Sequence, residues 1–126
     1  MRLKTLDEFI ADRNDPLLRG GARAYIREPG FSSLYVRMGP RTLNGTAHRV
    51  VLDLASIEVE EDLRGRGILT ALIERLQAVG IIIYVESVVN DRLAAWLPRN
   101  GFAVSEIDRS GRSFFRLPPK ERRSCG

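Results

Sequence analysis

The stretch LASIEVEEDLRGRGILTALIERL, residues 54–76, decides the fold of this chain. It continues an apolar run that predicts a strand over residues 49–59. Leucine and isoleucine then recur at helical spacing and predict an amphipathic helix over residues 65–79. The junction reads Arg64-Gly65-Arg66-Gly67, and its two glycines are typical of a tight turn. The sequence therefore predicts a strand that runs through a glycine-rich turn directly into a helix.

A second strand follows this helix. Gly80 stands where a helix C-cap belongs, and the nearly unbroken apolar run Ile81–Val85 is typical of a strand buried on both faces. We extend this strand over residues 81–88. Two strands joined by one crossover helix form a βαβ unit, in which the strands are parallel.

Hairpins flank the βαβ unit. Residues 34–38 and the first predicted strand are the arms of one hairpin, because Asn44-Gly45 between them is a strong turn signal. Residues 102–108 and 113–117 predict another. The fold class is therefore α/β (α+β), with a mixed, mostly antiparallel sheet around a central parallel βαβ unit.

Short helices are predicted outside the sheet. Thr5 and Glu8 have the spacing of a capping box, which begins a helix that ends near Asn14, and Asp15-Pro16 can start a second short turn. We accordingly expect short helices in residues 1–30. Asn90 can cap a further helix after the βαβ unit.

Length and charge restrict the class of protein. A chain of 126 residues suits one domain, so we expect a single domain over residues 1–117 and a flexible basic tail over residues 118–126. Residues 64–126 hold 11 basic and 6 acidic residues, a net charge of +5, against 9 and 10 in residues 1–63. The cationic half predicts either contact with an anion or only a solvated surface.

Several kinds of site are excluded or disfavoured. Cys125 is the sole cysteine, which excludes an intrachain disulfide and a cysteine-built metal site. His48 is the sole histidine, which disfavours histidine-based catalytic triads, and we expect no metal. The N-terminus has no apolar signal core and the chain has no 18-residue apolar run. The predicted location is therefore the cytoplasm, with no membrane partner.

The glycine-rich turn can hold a phosphate. The first N–H groups of a helix lack internal partners, the helix dipole favours an anion, and glycines let the backbone approach a ligand closely. Arg64 and Arg66 can add charged hydrogen bonds. No Gly-Lys-Ser/Thr follows, and Thr70 occupies the third glycine position of GxGxxG, so neither common nucleotide motif is present. By itself, the turn is explained equally well as a tight strand-to-helix loop.

The surroundings of this turn resemble motif A of the GCN5-related N-acetyltransferase (GNAT) superfamily. In that motif a strand carrying a valine leads to Arg/Gln-x-x-Gly-x-Gly/Ala and then to a helix. Here Val59 stands five residues before Arg64, Gly67 fills the fourth position, and Leu69 replaces the small sixth residue.

A second signature of the superfamily is also present. It is an asparagine followed eleven residues later by Gly-Phe after a helix, and it appears as Asn90 and Gly101-Phe102. The two motifs stand in the right order and spacing about the βαβ unit. The resemblance covers roughly residues 31–117.

The resemblance implies an acyltransferase that moves an acetyl group from acetyl-CoA to a primary amine by direct attack in a ternary complex. Strands 49–59 and 81–88 would splay apart to hold the CoA thioester. Ile57 and Val59 would pair with the pantetheine arm, the Ile57 N–H would polarise the thioester carbonyl, and Asn90 would orient the arm. Backbone N–H groups of the turn would hold the pyrophosphate; these are the groups of Arg64, Gly65, Arg66, Gly67, Ile68 and Leu69.

More than one residue is a candidate for each catalytic role. Asp53 interrupts an apolar series and falls where some family members carry a glutamate base, so it is the first candidate for the general base. The alternative interpretation is an edge carboxylate paired with an arginine, and Glu58 and Glu86 are alternate bases. Many members have a tyrosine acid at the position of Leu97, so here water, Tyr84 or another tyrosine would protonate the thiolate. The acceptor would be a primary amine, such as a protein lysine, a protein N-terminus or a polyamine.

Two other functions stay open. One is a GNAT-fold protein that has lost catalysis and binds a protein partner, with which Leu69 and Leu97 agree. The other is a nucleic-acid-binding protein that stacks Phe114 and Phe115 on bases. Adjacent residues of a strand point to opposite faces, so we expect at least one of the two rings in the core. The arginines for this function are Arg109, Arg112, Arg116, Arg122 and Arg123.

Overall fold

The computed structural model describes residues 3–13 and 21–119. The strands are β1 Lys4–Thr5, β2 Ala22–Arg27, β3 Phe31–Leu43, β4 Thr46–Val59, β5 Ile82–Val85, β6 Ala103–Val104 and β7 Phe114–Arg116. The helices are α1 Leu6–Ala11, α2 Ile68–Ala78 and α3 Asp91–Arg99, and a 3-10 turn covers Glu61–Leu63.

All of these strands join one mixed sheet in the order β1-β2-β3-β4-β5-β7-β6. The pairs β1/β2 and β4/β5 are parallel, and the other four pairs are antiparallel. Helix α2 connects β4 to β5, so a βαβ unit lies at the centre. The prediction of a mixed, mostly antiparallel sheet with a central parallel pair is confirmed.

Several boundaries of this unit differ from the predicted ones, and β4 already begins at Thr46 rather than at residue 49. Helix α2 begins at Ile68 rather than at residue 65, because Gly65 and Gly67 have φ angles of 80° and 77°, which a right-handed helix cannot contain. Strand β5 ends before residue 88. The reason is that Ser87 has a φ of 51° and its N–H donates to Ser113 Oγ (2.9 Å) instead of to a strand.

Gly80 ends helix α2, as predicted. Its φ is 82°, and its N–H donates to the Gln77 carbonyl (3.0 Å) while the Ile81 N–H donates to the Leu76 carbonyl (3.1 Å). These two bonds form a Schellman motif. A Cβ at Gly80 would meet no atom within 4 Å, so only the backbone conformation opposes a side chain there.

Gly80→Ala is expected to lower the free energy of unfolding by about 1 kcal/mol, because alanine disfavours the left-handed conformation. Urea denaturation measures the change. Gly80→Asn is the matched control, and it is expected to lose less because asparagine adopts this conformation more readily. Equal stability of Gly80→Ala and the wild type would contradict the assignment.

The sheet buries side chains on both faces. Helices α1, α2 and α3 all pack on one face, where a large cluster includes Leu52 and Leu54 of β4 and Ile83 of β5. A smaller cluster covers part of the opposite face; its members are Leu43, Val51, Ile82, Tyr84 and Phe115. No described helix buries residues on that side, which we call the open face.

Phe114 and Phe115 point to opposite faces of the sheet. Phe114 enters the large cluster and Phe115 the small one, and both are buried. The prediction that at least one ring enters the core is confirmed. Because neither ring is accessible for stacking on a base, the nucleic-acid function loses its aromatic contacts.

The first predicted hairpin is confirmed. Asn44 and Gly45 have φ angles of 44° and 88°, and Leu43 pairs with Thr46 across the turn. Strand β3 is longer than the predicted 34–38, because the register shifts between Gly39 and Arg41 and so accommodates the Gly39-Pro40 interruption without ending the strand.

The N-terminal segment is less helical than predicted. Helix α1 begins as expected, with Thr5 Oγ1 accepting from the Glu8 N–H (3.2 Å), but it ends at Ala11. Residues 22–27 form strand β2 rather than a helix, because their small and apolar residues alternate with polar or exposed ones and so match the two-residue period of a strand. Asn14 and the predicted Asp15-Pro16 turn lie outside the described residues.

The predicted tail is only partly described. Pro118 is buried, and residues 120–126, with Cys125, lie outside the described residues. None of the helices given above has the length and apolar character that a membrane span requires. Within residues 3–13 and 21–119, no three histidine, cysteine or acidic side chains come close enough together to hold a metal ion.

Candidate functional site

The central parallel strands stay paired over only three residues. Val51 pairs with Ile82, and the last pair is Asp53 with Tyr84, whereas β4 continues to Val59. Strand β4 also carries a bulge just beyond this point. Its Leu54 and Ser56 pair with consecutive residues of β3, which leaves Ala55 without a partner in β3. Because a bulge bends its strand and increases the twist, β4 and β5 separate from here onward.

A cleft lies where the two strands separate. It is a cavity of about 220 Å³, with Leu54, Ala55 and Ile57 of β4 on one side and residues 85–90 with Leu93 on the other. No β5 residue pairs with the stretch of β4 after Asp53, so one edge of that stretch faces the cleft without a strand partner. Such an edge can bind an extended ligand as an added strand would bind.

A second cavity, which we call the α2 cavity, lies at the start of helix α2. Its volume is about 320 Å³, and it shares Asn90 and Leu93 with the cleft, so the two adjoin. The first bond of the helix runs from the Ala71 N–H to the Gly67 carbonyl (3.0 Å). The three N–H groups of residues 68–70 therefore precede the intrahelical ladder and can bind an anion.

The turn before α2 leaves room for a ligand. A Cβ added at Gly65 or Gly67 would meet no atom within 4 Å, and both glycines line the α2 cavity. No side chain caps the helix at Gly67. Both features suit a ligand that lies directly against the backbone, as a pyrophosphate does at other helix N-termini.

The charged residues around this turn only partly follow the prediction. Arg64 lines the α2 cavity and its Nε donates to the Val59 carbonyl (3.2 Å), whereas Arg66 does not contribute to the lining. Arg92 of α3 does contribute. Sequence reasoning missed Arg92 because only the fold brings the first turn of α3 beside the first turn of α2.

The other predicted binding residues lie along the two cavities. Ile57 lines the cleft, and Val59, Ile68 and Leu69 line the α2 cavity. Asn90 belongs to both, and its Oδ1 accepts from the Leu93 N–H (3.0 Å), so the predicted cap of α3 is confirmed. The acidic residues of the preceding turn, residues 60–62, are exposed and line neither cavity.

Asp53 lies on the open face at the point where the strands separate. Arg37 Nη2 donates to Asp53 Oδ2 and to Glu86 Oε2, both at 2.7 Å. Arg41 Nη2 is more distant from the same two oxygens, at 3.8 and 3.9 Å, and its guanidinium stands 4.1 Å from the centroid of the Tyr84 ring. Asp53 is therefore paired with an arginine, the alternative that the sequence left open.

The environment of Asp53 also changes its proton affinity. It is 3% exposed, and this burial raises its pKa to about 6, although the charge and hydrogen bond of Arg37 act in the opposite direction. Its second oxygen, Oδ1, is buried and has no hydrogen-bond partner within the described residues. A carboxylate with a pKa near 6 is ionised at neutral pH and accepts a proton more readily than an ordinary aspartate.

The remaining catalytic candidates lie in different surroundings. Tyr84 is buried on the open face beneath Arg41, and Glu58 is exposed near the end of β4. Glu86 lines the cleft while it pairs with Arg37. Leu97 is 1% exposed within the large cluster, so it is a core residue.

No protein-family model matches the chain, and comparison with curated proteins gives no significant match.

Proposed function

We propose that this protein is an acyl-CoA-dependent N-acyltransferase of the GNAT type, with acetyl-CoA as the donor. The observation that carries the proposal is the separation of β4 and β5 directly after the Asp53–Tyr84 pair, beside an uncapped helix N-terminus. The mixed sheet and the separation of its two central parallel strands are what the resemblance of residues 31–117 implies, and the bulge at Ala55 and the adjoining cavities give room for a ligand there. The proposed compartment is the cytoplasm.

Acetyl-CoA would lie along both cavities. The N–H groups at the start of α2 would hold the pyrophosphate, with Arg64 and Arg92 adding positive charge. The unpaired edge of β4 at Ile57 and Val59 would bind the pantetheine amides as a neighbouring strand would. Asn90 would contact the arm from the opposite side, because it lines both cavities.

The chemistry requires a neutral amine, a donor for the oxyanion and a proton for the leaving thiolate. Asp53 is the proposed base: it takes a proton from the acceptor ammonium, whose pKa is about 10.4 for an alkylamine. The amine nitrogen then attacks the thioester carbon while the Ile57 N–H stabilises the oxyanion. The C–S bond breaks as the amide forms, and the nitrogen releases its second proton to water. Water supplies the proton to the thiolate, because Leu97 has none to give.

Binding of acetyl-CoA to the full chain tests the proposal. At about 100 times its Kd the ligand should add about 2.7 kcal/mol to the free energy of unfolding and raise Tm by about 10 °C. Acetylpantetheine, which lacks the pyrophosphate and the nucleotide, is the matched probe and should stabilise far less. The absence of any shift at millimolar acetyl-CoA would exclude the proposed donor.

A GNAT-fold protein without catalysis is the second candidate, and the buried Leu97 favours it. The two candidates differ in thiol release. An enzyme releases CoA thiol in proportion to an added amine, whereas a binding protein is stabilised by acetyl-CoA and releases no thiol above the rate of spontaneous hydrolysis.

A further inference from the structure

A third cavity opens on the open face, beside Asp53. Its volume is about 440 Å³, which is in the range of small-molecule sites. Three arginines and one carboxylate line it; these are Arg23, Arg37, Arg41 and Asp53. The cavity is therefore cationic, although it contains the residue that we propose as the base.

Two of its arginines, Arg23 and Arg37, belong to one row of side chains across the sheet, whereas Arg41 lies further along β3 and pairs with His48. The register pairs Arg23 of β2 with Arg37 of β3, Arg37 with Asp53, and Asp53 with Tyr84. Like charges directly opposite each other on neighbouring strands are destabilising. Asp53 and Glu86 offset the charge of Arg37, but no ion pair joins Arg23 to a carboxylate within the described residues.

Two guanidinium groups of the cavity can therefore bind an anion, one that lacks an ion-pair partner and one that is only loosely paired. Arg23 has no ion-pair partner in the part of the chain that the structure describes, and Arg41 approaches its two carboxylates only to 3.8 and 3.9 Å, beyond hydrogen-bond distance. A bound carboxylate or phosphate would relieve the repulsion between Arg23 and Arg37 and supply the acceptors that these donors lack.

The same cavity also offers a carboxylate for a cation, because Asp53 lines it. Asp53 is 97% buried, and its Oδ1 has no hydrogen-bond partner among the described residues, which is costly for a carboxylate. Arg41 is the more weakly held of the two guanidinium groups near this carboxylate. An anion that draws Arg41 toward itself would move one of the two cations away from Asp53 and so favour the approach of an ammonium group.

We infer that the acceptor of this protein is a small amine that also carries an anionic group, a carboxylate or a phosphate, and that it binds in the open-face cavity. Arg23 and Arg41 hold the anionic group, and the amine donates to Asp53. Neighbouring strands are about 4.8 Å apart, so Arg23 and Asp53 lie about 10 Å apart at their Cα atoms, and their side chains can meet the two ends of one small molecule. The role of this amine as acyl acceptor rests on the proposed function, whereas the binding of an anion in the cavity does not.

Matched pairs of amines test the inference in the absence of acetyl-CoA. NMR titration of the full chain compares β-alanine with β-alaninamide, and O-phosphoethanolamine with ethanolamine. The anionic member of at least one pair should bind about tenfold more tightly than its neutral counterpart. Preference within the first pair identifies an amino acid, and preference within the second an aminoalkyl phosphate.

Two arginine variants localise the site. Arg23→Gln should remove the preference for the anionic amine. Arg27→Gln should leave it unchanged, because Arg27 is exposed on the same strand and face but does not line the cavity. Equal binding of both members of each pair, no binding of any of the four amines, or a full preference in Arg23→Gln would overturn the inference.

Failure of this inference can be told apart from failure of the proposed function. If acetyl-CoA binds and the enzyme acetylates neutral and anionic amines at equal rates, the proposed acetyl-CoA site is supported and the proposed anion site is contradicted. If acetyl-CoA does not bind but the preference for the anionic amine appears and depends on Arg23, the proposed anion site is supported and the proposed acyltransferase function is contradicted.

Discussion

Thr70→Glu is expected to weaken acetyl-CoA binding by about a hundredfold or more, measured by isothermal titration calorimetry. Thr70 is the third residue of α2 and lines the α2 cavity, so a carboxylate there would face the pyrophosphate that the helix N-terminus is proposed to hold. Repulsion between the two anions then replaces an attraction. A glutamate in the first turn of a helix is itself favourable, so the fold should be as stable as the wild type or more stable.

Ala71→Glu is the matched control for this variant. Ala71 is the next residue of the same helix, is exposed, and does not line the α2 cavity. It adds the same charge to the same turn, so any general effect of charge on CoA affinity appears in both variants. Equal losses in both variants, or unchanged affinity in Thr70→Glu, would show that the start of α2 does not hold the pyrophosphate.

Asp53→Asn is expected to lower kcat by about a hundredfold or more while the Kd for acetyl-CoA stays unchanged, because loss of a general base typically costs two to four orders of magnitude. Asparagine keeps the size of the side chain but cannot take a proton. Arg37 would retain its 2.7 Å contact with Glu86, so its positive charge stays paired. Steady-state thiol release with a saturating amine measures the change.

The pH dependence of kcat/KM, which reports the pKa values of the free enzyme, gives an independent signature of Asp53. Its pKa is raised to about 6, so below pH 6 the carboxyl is protonated and cannot act as a base. The wild-type kcat/KM should therefore rise through pH 6 and level off above pH 7. The residual activity of Asp53→Asn should lack this inflection. If Asp53 had only a structural role, the inflection would persist in the variant.

Glu58→Gln is the control for the choice of base. Glu58 lies on the same strand and is exposed near its end, and it was an alternate candidate in the sequence. We expect its kcat to remain within about twofold of the wild type, since surface substitutions outside a site have small effects. If Glu58→Gln loses the activity and Asp53→Asn keeps it, the base is Glu58.

The central unit of the fold could be predicted from sequence because its signals are local. Helical spacing, the glycine cap at Gly80 and the hairpin signal at Asn44-Gly45 each depend on residues within one or two turns of one another. The boundaries were less accurate, because α2 begins only after the left-handed Gly67 and β5 ends before Ser87, whose N–H donates to the distant Ser113. Strand β2 was missed because its alternation is carried by alanines, which give a weak hydrophobic signal.

The parts of the candidate site that lie in one contiguous segment could be predicted from sequence. The parts that come from different strands could not. The turn before α2 and the position of Asn90 are contiguous with the motifs that suggested them. The proximity of Arg37, Arg41 and Glu86 to Asp53 brings together β3, β4 and the residue that follows β5. No spacing within one segment indicates such a set, because strand register decides which residues become neighbours.

By itself, the sequence determined a βαβ unit with a glycine-rich turn and an acidic residue, Asp53, that interrupts the apolar series of residues 50–54. Periodicity and capping are enough for this, since they act over short stretches of chain. Only the tertiary structure decided that β4 and β5 part after Asp53, that a buried carboxylate there has a raised pKa, and that a cationic cavity opens beside it. The physical reason is that a bulge, burial and cross-strand charge pairing arise only when distant segments pack together.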